Sequence, residues 1–213
     1  YIGAIAAEMS SGLIAGCTNA MDISEGEYVG GIVGDFDGGG EIRECTNTGD
    51  LIIKDAQIGG IVGQVWASDE ILIQDCVNNG AVSTTEGTSS IGGIIGTIDG
   101  DSGINATILK CINYGNIINP TADSSTVNPA GGITGQNGSA NIEGCINYGK
   151  VSASHAAGGI TGKMYGNGII KASWNDGDIT SEAASVDPGS FSSVGTGGIA
   201  GYVDESSIIG SYN

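Results

Sequence analysis

This chain is short of nearly everything a compact catalytic domain uses. Its 213 residues include 6 lysines and arginines against 24 aspartates and glutamates, a formal charge of −18. A nucleic-acid duplex or an anionic membrane would be repelled by that field, which leaves cations and neutral partners. There is a single histidine, His155, so no zinc-peptidase helix with paired histidines can be written from it. No run of 18 apolar residues occurs, which excludes a membrane-spanning helix. Three prolines and 40 glycines without a Gly-X-Y period exclude collagen. Recurrent Ile, Val and Leu argue against disorder, because disordered chains lack the apolar surface that offsets ordering entropy.

What the chain does have is repetition. Cys17, Cys45, Cys76, Cys111 and Cys145 each follow an isoleucine by three residues and precede an asparagine by two. Ser173 and Ser211 continue the Cys slot, with Asn175 and Asn213 in the Asn slot. A second signature, an apolar or small residue followed by Gly-Gly-Ile-x-Gly, starts at Val29, Ile58, Ile91, Ala130, Ala157 and Thr196, and a worn copy at Ile2 makes seven. Core slots keep their places while the connections vary, the pattern of a solenoid with insertions in surface loops.

The apolar stretches are short, β-branched and bounded by Gly, Asn and Asp, which reads as strand. Around Cys45-Thr46-Asn47-Thr48 the residues alternate with period 2. We expect three short strands per rung: one on Gly-Gly-Ile-x-Gly, one on Ile-x-x-Cys-x-Asn, and one carrying Ile23, Leu51, Val82, Ile117, Val151 or Ile179. Stacking then makes aliphatic columns, a column of asparagines bonded rung to rung, and corners where glycine supplies φ > 0.

Gly-Gly-Ile-Val-Gly followed by Cys-x-Asn-x-Gly-x-Ile resembles the GLUG-motif repeats of bacterial surface proteins, and the resemblance spans essentially the whole chain. Such repeats occur in secreted adhesin-like proteins, including some attached to immunoglobulin A-cleaving metallopeptidases. The resemblance implies an all-β parallel β-helix of about seven rungs of 28–38 residues, for which we expect right-handed winding, on the outside of a bacterium. It implies no particular activity. The chain starts within a repeat at Tyr1 and stops in the Asn slot at Asn213, so we expect one solenoid domain, 1–213, within a longer secreted or surface protein.

The cysteines are read as small buried filler. One histidine cannot activate five equivalent thiols, and in-register side chains stand about 4.8 Å apart, beyond the preferred Cβ separation of a disulfide. A disulfide between rungs is the weaker alternative.

Two surface features are candidates for function. The loop after Gly-Gly-Ile-x-Gly is acidic in several copies: Asp35, Asp37 and Glu41; Asp69 and Glu70; Asp99 and Asp101; Asp204 and Glu205. We expect mainly a solvated face, with a calcium ion at Asp35, Asp37 and Glu41 as the one cofactor left open. The outward slots beside the Cys–Asn column place Ile112, Tyr114, Ile146, Tyr148 and Trp174 on one sheet. That stripe is either a binding face for a host or bacterial glycan or protein, or a surface covered by the long loops 118–129 and 180–195. We expect a non-catalytic structural or interaction module. A polysaccharide-degrading β-helix is the alternative, with Asp176 and Asp178 beside Trp174 the carboxylates to test.

Overall fold

The computed structural model describes residues 1–66, 69–86, 90–99, 105–120, 128–181 and 195–213. These residues form a parallel β-solenoid of short strands. The second rung shows the plan, with strands Tyr28–Gly30, Val33–Phe36, Gly40–Arg43, Thr46–Asn47 and Leu51–Ile53. Each pairs in parallel with its counterparts in adjacent rungs, giving five sheets, numbered here first to fifth in that order. The first three sheets hold seven strands each, the fourth six and the fifth five. Register is slot on slot: Ile42 opposes Ile73, Ile73 opposes Ile108, and Asn47 opposes Asn78. No helix among the described residues is long and apolar enough to cross a membrane.

The rung has five strands where the sequence pattern suggested three, because both signatures are bent in the middle. The residue before every Cys or Ser slot is left-handed: Gly16, Glu44, Asp75, Lys110, Gly144, Ala172 and Gly210, with φ from 47° to 63°. This one residue breaks Ile-x-x-Cys-x-Asn into a third-sheet and a fourth-sheet strand. Glycine adopts that conformation without penalty, whereas a side chain costs about 1–2 kcal/mol there. Gly-Gly-Ile likewise turns the chain between the first and second sheets.

The signature glycines serve a different purpose from the one expected. None of them lies at positive φ; each is needed because backbone or side chain comes too close for a Cβ. A Cβ on Gly30 would lie 1.9 Å from the Val33 carbonyl oxygen, one on Gly31 2.6 Å from Cγ of Asn47, and one on Gly34 2.7 Å from the Ile2 nitrogen. The glycine two residues after Asn stacks equally tightly: a Cβ on Gly115 would meet the Gly80 oxygen at 1.9 Å.

Two apolar cores run the length of the solenoid. The larger contains Ile32, Val33, Phe36, Ile42, Cys45 and their equivalents; the smaller contains Val29, Leu51 and theirs. Asn47 lies in sequence between Cys45 of one core and Leu51 of the other, and its amide packs on Gly31 at the turn opposite. The asparagine column therefore sits on the boundary between the cores. Its burial is complete, with Asn47, Asn78, Asn113 and Asn147 all at 0% exposure.

Each buried amide is bonded. Nδ2 of Asn19, Asn47, Asn78, Asn113, Asn147 and Asn175 donates to Oδ1 of the next asparagine at 2.6–2.8 Å. The same nitrogens donate to the backbone oxygen two residues on, at 2.8–2.9 Å. Because each amide has both neighbours, the ladder accepts only one register.

Two outcomes follow. Asn113→Ala removes the Gly115 and Asn147 bonds and takes one of two acceptors from Asn78 Nδ2, which keeps Gly80, at a cost of about 2–4 kcal/mol in urea unfolding. Asn79→Ala, on the exposed face beside it, stays within about 0.5 kcal/mol; equal effects would sink the ladder as a stabilising element. Ala172→Gly relieves a left-handed alanine and raises stability by up to about 1 kcal/mol, net of glycine's unfolded-state entropy. A loss of stability there would contradict the strain.

Candidate functional site

The fourth sheet brings the expected stripe together. Its strands Ile112–Asn113, Ile146–Asn147 and Trp174–Asn175 are neighbours in register, so Ile112, Ile146 and Trp174 form one column. Tyr114 and Tyr148 follow the asparagines and are held by main-chain bonds to the carbonyls of Asn78 and Asn113, each 2.8 Å. Tyr114 and Tyr148 stack with ring centroids 5.0 Å apart and planes 7° from parallel. Tyr148 meets Trp174 at 6.2 Å, tilted by 58°, and Trp174 stacks on Tyr212 at 5.4 Å. Tyr212, in the same outward slot one rung on, extends the ladder.

The rings are open to solvent: Tyr114 is 51% exposed, Tyr148 37% and Tyr212 58%. Of the long loops expected to flank them, residues 121–127 and 182–194 lie outside the described set. Ring orientation limits what the stripe can grip. Parallel rings 5.0 Å apart that keep a van der Waals spacing of about 3.5 Å have normals within roughly 45° of the solenoid axis. Tyr114 and Tyr148 therefore turn their faces mainly to each other, which is poor geometry for a sugar ring lying flat along the axis.

The structure does not gather Asp35, Asp37 and Glu41 into one group. Asp35 lies in a second-sheet strand and is 7% exposed, Asp37 is exposed at the corner, and Glu41 lies in the third sheet with Arg43 Nε at 3.6 Å. Among the described residues, no three His, Cys, Asp or Glu side chains are grouped to hold a metal ion. Asp101 falls outside the described residues. Asp176 and Asp178 are exposed in the turn after Trp174.

All five cysteines are free thiols, and four are buried. Cys76 Sγ donates to the carbonyls of Gln74 at 3.3 Å and Ile42 at 3.7 Å, and the other buried thiols repeat the pattern. The neighbouring thiol and burial hold Cys45 and Cys76 well above the ordinary thiol range; at Cys111 burial dominates. These are inert core groups, as a thiolate nucleophile would need the opposite shift.

A second polar feature was missed in the repeat pattern. The residue after each Gly-Gly-Ile-x-Gly forms a second-sheet column: Glu8, Asp35, Gln64, Thr97, Gln136, Lys163, Tyr202. Beside it runs the start of the first sheet, since the glycine preceding each column residue abuts the first-sheet strand one rung back, at Ile2, Val29 and Ile58. Along this seam Asp35 Oδ1, Gln57 Oε1 and Thr97 Oγ1 are buried without a hydrogen-bond partner; among the described residues only Arg43 Nε shares that condition. The uniform polarity of the slot after the signature was the available signal. Its burial was not visible, because it arises from the closeness of two sheets.

The thiols predict a pH effect of known sign. Below the unfolded thiol value of about 8.5 both states keep their protons. Above it the unfolded chain releases protons that the folded core retains, so stability falls as pH rises. Urea midpoints should drop between about pH 8.5 and 10.5, and less so in Cys111→Ala compared with its own value at pH 7. Identical pH profiles would show that the buried thiols do not contribute.

No protein-family model matches this chain, and no curated protein or solved structure does either. The resemblance to GLUG-motif repeats rests on the residues quoted above.

Proposed function

We propose that this β-solenoid is a non-catalytic structural and interaction module of a bacterial cell-surface protein, an adhesin-like stalk that meets its partner on the fourth sheet. The observation that carries the reading is the ring ladder on the fourth-sheet face, with Tyr114, Tyr148 and Tyr212 exposed and Trp174 half-buried among them. Large rigid aromatics at a surface are costly to leave in water and supply contact area with little entropy loss, which is why tyrosine and tryptophan dominate interface hot spots.

Several features support binding over chemistry. The carboxylates nearest the ladder, Asp176 and Asp178, are exposed in a turn. Three of the basic residues, Arg43, Lys54 and Lys171, sit in surface ion pairs with glutamates. The GLUG resemblance is what supports the cell-surface location. Host or bacterial surface proteins and glycans are both partner classes, and rings turned mainly to each other favour a protein surface over a sugar chain lying along the axis.

The test is adhesion. Fluorescently labelled chain applied to epithelial and bacterial cells, and to a glycan array, should bind through the ladder. The double change Trp174→Ala with Tyr148→Ala should weaken binding about tenfold or more with little loss of stability, since both rings are outside the cores. Asp204→Asn, an exposed residue of the last rung, should change nothing. Binding unaffected by the double change would overturn the assignment.

A further inference from the structure

We propose that the fourth-sheet ladder takes an arginine side chain of a basic partner protein, its guanidinium seated where Tyr148, Trp174 and Asp176 meet. This rests on the ladder being the binding face and names the chemistry that the face selects.

The ladder has three ring junctions, and they are not alike. Tyr114 on Tyr148 and Trp174 on Tyr212 are stacks, with centroids 5.0 Å and 5.4 Å apart and planes 7° and 28° from parallel. Between the stacks, Tyr148 and Trp174 stand 6.2 Å apart and inclined by 58°. The stacks close ring faces on each other. At the middle junction the planes diverge, so one face of Tyr148 has no parallel ring against it.

The one carboxylate in the ladder's own slots stands at this wedge. The slot after the buried asparagine carries Tyr114, Tyr148 and Asp176 on successive rungs. Each is fixed by a bond from its main-chain nitrogen to the asparagine carbonyl one rung back, 2.8 Å in all three. Rungs are about 4.8 Å apart, so Asp176 stands next to Tyr148. It also follows Trp174 by two residues, with the inward Asn175 between them. Asp176 and Tyr148 are both exposed.

The chain supplies no cation of its own to this carboxylate. Of its six basic residues, Arg43, Lys54 and Lys171 are paired with glutamates and Lys163 lies over the Tyr165 ring. Lys150 is opposite Asp178 rather than Asp176, as the pairing of Val151 with Ile179 requires. Lys110 precedes Cys111, two rungs from Asp176.

An open ring face beside an exposed carboxylate selects a planar organic cation. Aromatic faces attract arginine more often than lysine, and tryptophan is the best of them. A guanidinium can stack on the Tyr148 face while its N–H fork reaches the carboxylate, which a compact ammonium cannot do. Arginine is also, with tyrosine and tryptophan, the residue enriched in interface hot spots, and hot spots pair across an interface. The net charge of −18 draws a basic partner. A neutral glycan gains nothing from that field and an anionic one is repelled.

The test titrates the ¹⁵N-labelled chain with Nα-acetyl-arginine methylamide and, separately, with the lysine counterpart, at about 0.1 M salt, where surface charge is screened beyond about 10 Å. Saturable shifts are expected at the Trp174 indole N–H and at the amides of Tyr148 and Asp176. Trp66 is the internal control for diffuse attraction, being 60% exposed with Asp37 and Asp99 on the adjacent rungs of its column; its indole should not saturate. The arginine amide should bind about threefold or more tightly than the lysine amide. Asp176→Asn and Tyr148→Leu should each weaken it about threefold or more, while Tyr148→Phe and Asp204→Asn should not. Equal binding of the two amides, equal saturation at both indoles, or indifference to Asp176→Asn would overturn the proposal. Cell adhesion separates its failure from failure of the binding face. Adhesion lost with Trp174→Ala plus Tyr148→Ala, yet indifferent to Asp176→Asn and to competing arginine amide, keeps the face and removes the arginine; a glycan-array signal lost with the same ring changes then makes a sugar the occupant. Adhesion indifferent to the ring changes removes the face, and this proposal with it.

Discussion

The structure depends on a line of amides. Each asparagine from Asn19 to Asn175 donates one bond to the next rung and one to its own turn, inside a boundary where water does not reach. A buried amide with a missing partner is expensive, so the ladder tolerates neither a slipped rung nor a lost one. Aliphatic columns are less discriminating, because Ile on Ile and Ile on Val pack at similar cost. The amides set the register that the apolar residues then fill. The glycines follow from this: Gly31, Gly60 and Gly93 are needed where Asn47, Asn78 and Asn113 press against the opposite turn.

A fixed register has consequences on the outside. Every outward slot becomes a column with a spacing of about 4.8 Å, and identical neighbours reinforce one another. Where the slot is filled by Tyr114, Tyr148, Trp174 and Tyr212 the result is a ring ladder. Where it runs from Glu8 and Asp35 to Lys163 the result is a seam acidic at one end and carrying its own cation at the other. The two surfaces differ in kind. The ladder lies on the surface, whereas Asp35, Gln64 and Thr97 of the seam are buried.

Much of this was legible in the repeat. The Cys–Asn spacing marked the rungs, period 2 around Cys45 marked a strand, and the outward slots Ile112, Ile146 and Trp174 fell on one sheet, with Tyr114 and Tyr148 just past its strands. Other features were hidden for physical reasons. The left-handed residue before each Cys is Glu44, Asp75, Lys110 or Ala172 in four rungs; with glycine in only three, composition carries no signal for the bend, and five strands looked like three. Positive φ was expected of the signature glycines because that is glycine's usual use, whereas here the demand is for closeness. Asp35 was grouped with Asp37 and Glu41 by adjacency, yet a strand and a corner send the three to different surroundings.

The sequence alone determined what depends on repetition: a stack of seven rungs, the columns of Ile, Cys and Asn, and which residues share an outward face. Periodicity is a property of the chain, so it can be read from the chain. Only the tertiary structure decided how those columns sit against one another around the rung. The orientation of the rings on the fourth sheet, and the burial of Asp35, Thr97 and the Gln57 Oε1 atom, arise from contacts between slots in different strands and rungs. No spacing along the chain records that angle or that distance.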